Sequence, residues 1–314
     1  MMSSLGAARV DWLIFAALGF MWGSSYLFIK IAVDDFGTFT LVALRLAVGS
    51  ALLWAVTRIA GQALPRTRRI YGHLFVMAMI NIAVPFLLIT WAERSVDSAL
   101  AAISTALVPL FVVVLTPLFV DDEPLHLKGI VGLALGLVGV IVLTGRDLTG
   151  MGSDAVAVTA LLGSSLSYAA GAVYARRHVR AVPPMIPAVF QVTFAMIVTG
   201  TVALVFERPW EARPDLAAIL SIAWLGLLGS GVAYLAFFRL LSRWGATRTV
   251  AVAYILPVVG IVLGFLVLRE PIDARVVVGT ALIIGGVALV NSRVGRRAVS
   301  GGVRAEAPIR RPVG

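Results

Sequence analysis

Apolar runs of about twenty residues recur along this chain, and they constrain its fold more than any other feature of the sequence. A helix that crosses a bilayer needs about 20 mostly apolar residues, because the hydrocarbon core is roughly 30 Å thick and each helical residue rises about 1.5 Å. Ten runs of the 314-residue chain reach this length between charged or Pro/Gly-containing breaks. They are residues 12–33, 39–59, 72–92, 98–120, 127–145, 154–175, 186–206, 216–240, 247–268 and 274–292.

The composition supports an all-α integral membrane protein. Hydrophobic residues make up 60% of the chain and charged residues only 13%, whereas soluble domains have about 45–50% and about 25%. These values exclude a disordered chain, a nucleic-acid-binding module and an ordinary cytosolic enzyme. The sequence contains 0 cysteines, which excludes disulfides, thiolate metal sites and a cysteine nucleophile.

The position of the basic residues predicts the topology of the chain in the membrane. The net charge is +10. With the N-terminus in the cytoplasm, eighteen basic residues fall in cytoplasmic segments, seven fall outside, and Arg45 lies within a span. Because cytoplasmic loops are enriched in Lys and Arg, both termini are predicted to be cytoplasmic. Residues 1–11 then form the N-terminal segment, and residues 293–314 form a basic disordered tail that can contact anionic lipid headgroups of the bilayer. No nucleic-acid partner is indicated.

The second half of the sequence repeats the first half at a nearly constant shift. A shift of 146 residues places Trp22 over Tyr168 and Arg45 over Gln191. The shift drifts by only two residues over five spans, which shared apolar composition does not explain. Further pairs at shifts of 147 or 148 are Phe86 with Tyr234, Pro109 with Pro257, Glu123 with Glu270, Gly132 with Gly279 and Gly139 with Gly286.

Each repeat contains five spans, and an odd number requires the two copies to enter the membrane from opposite sides. The sequence therefore predicts ten transmembrane helices as two inverted five-helix repeats, over residues 12–145 and 154–292. Inverted repeats are typical of secondary transporters, in which the substrate site lies near the middle of the membrane between the repeats. If the two repeats exchange conformations, the site opens alternately to each side.

Several short patterns, in a fixed order, carry a family resemblance. They are Trp22-Gly-Ser-Ser followed by Lys30, Arg45 in the second span, residues 92–99 leading to Pro109, and Asp122-Glu123-Pro124 before a glycine-rich span. Together they resemble the EamA family of the drug/metabolite transporter superfamily over residues 12–292. The resemblance implies a metabolite carrier, most often an exporter, in the bacterial inner membrane. The second repeat departs from the pattern, with Tyr168 in place of tryptophan and Gln191 in place of arginine.

Arg45 is the clearest candidate for substrate binding. An ionisable side chain within a span costs at least about 2.5–3.5 kcal/mol to insert, so it suggests a function by default. Arginine binds a carboxylate through two parallel hydrogen bonds. We expect Arg45, with Lys30, to face a central cavity and hold an anion. The alternatives are a structural ion pair of Arg45 with Glu93, or cations that extend toward the headgroups.

Aromatic and polar residues within the spans are candidates for the lining of the same cavity. Each of them alone could instead be an interfacial anchor or a residue of the packed core. Trp22 and its equivalent Tyr168 lie mid-span, where an interfacial role explains them poorly. The full set is Trp22, Tyr26, Asn81, Trp91, Tyr168, Gln191, Tyr234 and Tyr254.

Acidic residues lie at the predicted helix ends and not deep within any span. Exporters of lipophilic cations commonly use a buried carboxylate, so a cationic-drug antiporter is disfavoured. Glu93 is the nearest candidate for a proton or cation site, but its place at an outer helix end predicts solvation, or an ion pair with Arg94 or Lys30. Glu123 and Glu270 precede prolines and are expected to cap the helices that follow them.

Prolines and glycines predict how the helices bend and pack. Pro109 and Pro257 hold equivalent positions in the two repeats, and we expect symmetric bends that shape the cavity or act as hinges. Gly129, Gly132 and Gly139 belong to a small-residue face on the fifth span. This face either packs against the tenth span or forms a homodimer contact; packing within the chain is favoured.

An enzyme would need a converging set of catalytic side chains, and the sequence does not offer one. His73, His126 and His178 lie at cytoplasmic span ends, but their spacing matches no metal-ligand motif. We predict neither a metal nor a cofactor. The predicted function is alternating-access export of a small polar metabolite, with an amino acid or related carboxylate favoured. Drug export and metabolite uptake are the alternatives within transport. Outside transport, the alternative is a membrane-embedded enzyme or scaffold.

Overall fold

The fold consists of apolar helices joined by short connections. In a computed structural model, residues 2–119, 127–144, 153–179, 182–183, 185–244 and 249–291 are described, and this part of the chain contains helices but no strand. Nine of its helices are long and apolar enough to cross a membrane, and one shorter apolar helix follows them. They are α1 (Arg9–Ala32), α2 (Thr38–Ile59), α3 (Arg68–Ala92), α4 (Ser98–Phe119), α5 (Leu127–Thr144), α6 (Ala155–His178), α7 (Met185–Phe206), α8 (Leu216–Trp244), α9 (Ala251–Leu268) and α10 (Ala274–Val290).

The prediction of an all-α, ten-helix membrane protein is confirmed. The predicted spans agree with the helix bounds to within four residues at every end. Large apolar side chains such as Leu13 and Phe206 are 70% and 77% exposed, as expected for a surface that faces lipid. The basic tail over 293–314 and the predicted loop residues Glu123 and His126 lie outside the described residues.

Each half of the chain packs mainly against the other half. Helix α1 packs on α8 and α9, and its sequence equivalent α6 packs on α3 and α4. Helix α2 packs on α8, and its equivalent α7 packs on α3. The pairs α2–α7, α4–α9 and α5–α10 join equivalent helices directly. The interior is therefore shared between the halves, and a site at its centre is built by both.

Glycines bring α5 and α10 into backbone contact. A Cβ atom on Gly139 would lie 2.7 Å from the carbonyl oxygen of Gly279, and a Cβ on Gly279 would lie 2.7 Å from that of Gly139. Real Cβ atoms do not approach so closely, so only glycine permits this separation. The prediction that these helices pack together within the chain is confirmed, and these two glycines are thereby occupied and not available for a dimer contact.

Several helices are interrupted near the middle of the bundle. A π-helical segment replaces the α-helix at Met79–Ala83 in α3 and at Leu225–Val232 in α8. These segments overlap when the sequence is shifted by 148 residues. Single-turn π segments within α-helices are rare and occur often at functional sites, because they change the direction of side chains and carbonyl groups.

Glu270 was predicted to cap α10, and this prediction is wrong: Glu270 caps α4 instead. Its carboxylate accepts hydrogen bonds from the backbone N–H groups of Ser98 (2.8 Å) and Ala99 (3.1 Å), at the start of α4. Helix α10 is capped instead by Asp273, whose Oδ1 accepts from the N–H of Arg275 at 2.9 Å. Glu270 therefore ties the second half of the chain to the first.

Candidate functional site

Arg45 lies inside the protein, about two turns from the start of α2. Arg45 is 3% exposed, and its Nε donates a 3.3 Å hydrogen bond to Oγ of Ser230 in α8. Its Cζ lies 4.2 Å from the centroid of the Phe86 ring, whose negative face attracts a cation. The guanidinium is thus held in the interior and does not extend toward the headgroups.

Within the described part of the chain, Arg45 is not paired with a carboxylate. Among the residues that the structure describes, ion pairs form elsewhere and none includes this arginine. A guanidinium has five N–H donors, so most of them remain available to a ligand. The groups that interact with Arg45 electrostatically are the hydroxyls of Tyr26, Tyr168 and Tyr234 and the carboxyl group of Glu93.

Trp22 forms an aromatic wall with residues of α8. Its Nε1 donates a 3.2 Å hydrogen bond to the carbonyl oxygen of Gly229, within the π segment. Its ring lies against Tyr234 and Phe237, with centroid distances of 6.2 and 5.5 Å. Trp22 and Tyr234 are both half-buried. Two of the residues predicted separately as cavity lining, Trp22 and Tyr234, therefore meet across the two halves of the chain.

The π segment of α8 brings its backbone close to the guanidinium. A Cβ atom added to Gly229 would lie 3.1 Å from Oγ of Ser25 and 3.5 Å from Nη2 of Arg45. The lack of a side chain at Gly229 therefore leaves room beside the cation. Ser230, the next residue, supplies the hydroxyl that orients Arg45.

A neutral polar pair occupies the equivalent position on the other side. Nδ2 of Asn81, in the π segment of α3, donates a 3.0 Å hydrogen bond to Oε1 of Gln191 in α7. Gln191 is 6% exposed. Ser167 of α6 donates a 2.6 Å hydrogen bond to the carbonyl oxygen of Ile80, within the π segment of α3. Trp22 of α1 donates the corresponding hydrogen bond to the π segment of α8. Two predicted residues, Asn81 and Gln191, are thus in direct contact.

Tyr26 connects the site to the break in α4. Its hydroxyl donates a 2.7 Å hydrogen bond to Oγ1 of Thr105, and Thr105 ends the first helical segment of α4. A second segment begins at Val108, and Pro109 follows within its first turn. In the second half of the chain, a 3₁₀ turn over Val250–Tyr254 precedes the α-helical segment that contains Pro257. Both prolines therefore follow an interruption of the α-helix.

Three predicted residues lie away from Arg45. Nζ of Lys30 donates to the carbonyl oxygens of Glu93 (2.6 Å) and Val96 (2.9 Å), and so binds the C-terminal end of α3. Trp91 is 43% exposed near the end of the same helix, a position typical of an interfacial anchor. Tyr254 packs with a separate cluster of α4, α5 and α10 side chains.

The expectation for Glu93 is wrong. Glu93 is 0% exposed, and neither carboxylate oxygen has a hydrogen-bond partner in the described part of the structure. Arg94 turns away and donates to the carbonyl oxygen of Phe36 at 2.8 Å. Nζ of Lys30, from α1, binds the backbone of the same helix end. The chain therefore has a buried carboxylate, contrary to the prediction.

Sequence analysis did not identify Ser230 or Thr105, which hold Arg45 and Tyr26. A polar residue between two glycines within an apolar run, as in Gly229-Ser230-Gly231, was the available signal for the first. Thr105 lies four residues before Pro109 in a region with several small residues and carried no distinct signal. His73 stacks on His178 with ring centroids 4.9 Å apart, and within the described ranges no three His, Asp or Glu side chains gather as a metal site would require.

Comparisons with known proteins agree with these observations. The model of the EamA-like transporter family matches residues 11–145 and again residues 155–292. The "Uncharacterized inner membrane transporter YedA" of Escherichia coli (strain K12) is 31% identical over 251 residues, which cover 79% of each chain. The "Probable terminal-alkyne amino-acid exporter" of Streptantibioticus cattleyicolor is 28% identical over 283 residues, 88% of this chain and 92% of its own.

A solved crystal structure has a similar fold. It superimposes with a TM-score of 0.66 at 22% sequence identity, over 90% of this chain and 96% of the other. At that identity the likeness supports the fold alone. The family match and the relatives, which are named as transporters or as an exporter, indicate a membrane transporter and not an enzyme.

Proposed function

This chain belongs to the EamA-like transporter family, and on that basis we propose that it exports an amino acid or a related small carboxylate across the bacterial inner membrane by alternating access. The observation that carries the proposal is the buried guanidinium of Arg45, which has no paired carboxylate among the described residues. A substrate carboxylate supplies the missing charge through a bidentate, charge-assisted hydrogen bond.

The surroundings of Arg45 suit the rest of a small polar substrate. Phe86 and Tyr234 pack against the same buried cluster, which α2, α3 and α7 build together. Trp22 provides an aromatic face beside Tyr234. Binding sites for small molecules combine such apolar and aromatic walls with a few fixed polar groups. The amides of Asn81 and Gln191 are the polar groups that we assign to the opposite side of the substrate.

We propose that the two five-helix repeats, residues 12–145 and 154–292, are inverted and exchange conformations. The interruptions in α4 before Pro109 and in α9 before Pro257 lie at equivalent positions and support symmetric bending. Contacts at the two ends of α1 would then alternate. At one end, Asp11 pairs with Arg243 of α8 at 3.1 Å; at the other, Lys30 binds the end of α3.

Export, not uptake, is the direction that we propose, and it rests on the relatives. One of them, at 28% identity, is named as a probable amino-acid exporter. Uptake is the alternative, and flux measured in each direction distinguishes the two. A cationic drug is a poorer fit, because Arg45 would repel it from the centre of the site.

The decisive experiment measures transport by the purified protein in liposomes. A thermal-shift screen with amino acids and other small carboxylates selects the substrate, and counterflow of the labelled compound measures flux. We expect Arg45→Gln to weaken substrate binding by roughly 30- to 1,000-fold, since loss of a buried charged hydrogen-bonding partner costs about 2–4 kcal/mol. Arg45→Lys should keep the charge but lose the bidentate geometry, and give an intermediate value.

Arg58→Gln is the matched control, because Arg58 lies on the same helix but is exposed. Its flux should equal that of the wild type. A folded Arg45→Gln variant with unchanged affinity for the substrate would contradict the assignment of the carboxylate site. A wild-type protein that moves no small carboxylate would contradict the proposed function itself.

We propose that both termini face the cytoplasm. The chain has 0 cysteines, so single cysteines can be labelled without removing native ones. Ser300→Cys, in the basic tail, should react with a membrane-impermeant maleimide only after cells are permeabilised. Glu211→Cys, in the connection between α7 and α8, should react in intact cells. The reverse pattern would invert the topology.

A further inference from the structure

Glu93 is a buried acid that the binding of a carboxylate at Arg45 does not use. It follows Ala92, the last residue of α3. The residue is 0% exposed, and both carboxylate oxygens lack a hydrogen-bond donor in the described ranges. An ionised carboxylate in this environment would carry a large desolvation cost, whereas a protonated carboxyl group would not.

The charged groups around Glu93 come from four parts of the chain. Its electrostatic partners are Lys30 of α1, Arg45 of α2 and Glu270 of the connection between α9 and α10. The hydrogen bonds of Lys30 go to backbone carbonyls and not to the carboxylate. Glu270 is engaged at the start of α4. On its own helix end, Arg94 donates to the backbone of Phe36.

These neighbours act on the acid in opposite directions. Burial raises the pKa of Glu93 well above its ordinary value. The positive charges of Lys30 and Arg45 oppose this rise, and the negative charge of Glu270 adds to it. An anion bound at Arg45 cancels part of one opposing charge. Binding of the anion therefore favours the protonated acid, and by thermodynamic reciprocity protonation favours binding of the anion.

We propose that Glu93 is a proton-binding site of the transport cycle, protonated while a substrate carboxylate occupies Arg45, so that proton and substrate cross the membrane together. This inference rests on the proposed function, because it takes Arg45 as the carboxylate site. Helix α3 connects Arg45 and Glu93 physically, because its Phe86 packs against the guanidinium of Arg45 and Glu93 lies at its end. Outward flow then follows the excess of the metabolite inside the cell, and an acidic exterior opposes it.

The first test asks whether Glu93 holds a proton, without any substrate. Infrared spectra of the substrate-free protein, recorded from acidic to alkaline pH, should contain a carboxylic-acid C=O band that persists to a higher pH than the bands of exposed acids and that Glu93→Gln removes. Glu211→Gln is the matched control, because Glu211 is exposed and should leave the band unchanged. A late-titrating band that persists unchanged in Glu93→Gln, or wild-type spectra in which no acid keeps its band beyond the exposed acids, would overturn the inference.

Stability provides a second measurement that does not depend on one variant's activity. Because the pKa of Glu93 is raised in the folded state, its contribution to stability is fully present at acidic pH and is lost as the pH rises toward the raised value. The unfolding temperature of the wild type should therefore fall, relative to that of Glu93→Gln, as the pH is raised. Parallel curves for the two proteins would contradict a buried titrating acid at this position.

The second test measures coupling in liposomes that contain a pH-sensitive dye. Efflux of the carboxylate by the wild type should carry protons outward, and Glu93→Gln should lose this proton movement while substrate counterflow continues. Substrate flux without proton movement in the wild type would overturn the inference and leave the proposed function intact. If no carboxylate moves at all, the proposed function and the coupling both fail, and the infrared band still reports the protonation of Glu93 separately.

Discussion

The two sides of the central site share a geometry but differ in charge. On one side Arg45 of α2 meets the π segment of α8 through Ser230. On the other, Gln191 of α7 meets the π segment of α3 through Asn81. Arg45 and Gln191 are equivalent under a shift of 146 residues. The contact between the two helices thus recurs under this shift, and of these two equivalent residues only Arg45 is charged.

The backbone explains what is shared. On each side a π segment presents a carbonyl oxygen that accepts a hydrogen bond from a side chain of a neighbouring helix: Trp22 to Gly229 on one side and Ser167 to Ile80 on the other. Such a segment interrupts the regular hydrogen-bond ladder, so it needs polar partners wherever it occurs. The fold thus imposes polarity on both sides, and the side chains determine which side attracts an anion.

Placing an arginine at Gln191, the equivalent of Arg45, should have the largest effect on stability. Gln191→Arg would bury a second guanidinium at a position that is 6% exposed and whose partner is a neutral amide. We expect a loss of about 2.5–3.5 kcal/mol of stability, the cost of inserting an arginine within a span, read as a fall in unfolding temperature. Gln191→Met, which is neutral and similar in length, should cost less. Equal stability of Gln191→Arg and the wild type would show that the second side tolerates charge.

Adding a methyl group to one glycine on each side should separate the two sides by function. A Cβ at Gly229 would meet Ser25 at 3.1 Å and Arg45 at 3.5 Å, and a Cβ at Gly171 would meet Oδ1 of Asn81 at 2.9 Å. We expect each Gly→Ala change to cost about 1–3 kcal/mol through overpacking. Only Gly229→Ala, however, should also weaken carboxylate binding.

Gly285→Ala is the control for these substitutions, because a Cβ there meets nothing within 4 Å. Its stability and transport should match the wild type. A loss of carboxylate affinity in Gly171→Ala equal to that in Gly229→Ala would remove the functional distinction between the two sides.

The smallest effect concerns the neutral pair itself. A double-mutant cycle with Asn81→Ala and Gln191→Ala should give a coupling energy of about 0.6 kcal/mol, and at most about 1.7 kcal/mol, the range for hydrogen bonds between membrane helices. The measurement is the change in unfolding free energy of the single and double variants. A coupling energy of zero would mean that the 3.0 Å hydrogen bond does not persist in the folded protein.

Sequence reasoning found Arg45 but not the contacts that make it a site. A single arginine within an apolar run can be recognised from the sequence alone, because the residues around it are uncharged. Ser230 lies 185 residues further along the chain, and only folding brings it to Arg45. The π segments carried no signal, since they leave the apolar content of a span unchanged.

Glu93 shows most clearly that burial at a helix end is not predictable from local sequence. One residue beyond the last apolar position of a span, an acid is ordinarily solvated, and no feature of the sequence around Glu93 indicates otherwise. Residues distant in sequence surround it, and Lys30 and Glu270 are among its electrostatic neighbours. Glu270 itself was predicted to cap α10, but the N–H groups of Ser98 and Ala99 compete for its carboxylate and bind it instead. The helices were predictable from local composition, whereas these partnerships depend on tertiary packing.

The glycine contact between α5 and α10 has a consequence for how the chain assembles. Gly139 and Gly279 can approach only backbone to backbone, so a single five-helix unit could satisfy its glycine face only by finding a second copy. Two separate units would meet in a concentration-dependent reaction. Their fusion in one chain makes the encounter intramolecular, with a high effective concentration. The assembled fold therefore does not depend on expression level, and each unit is free to diverge from the other.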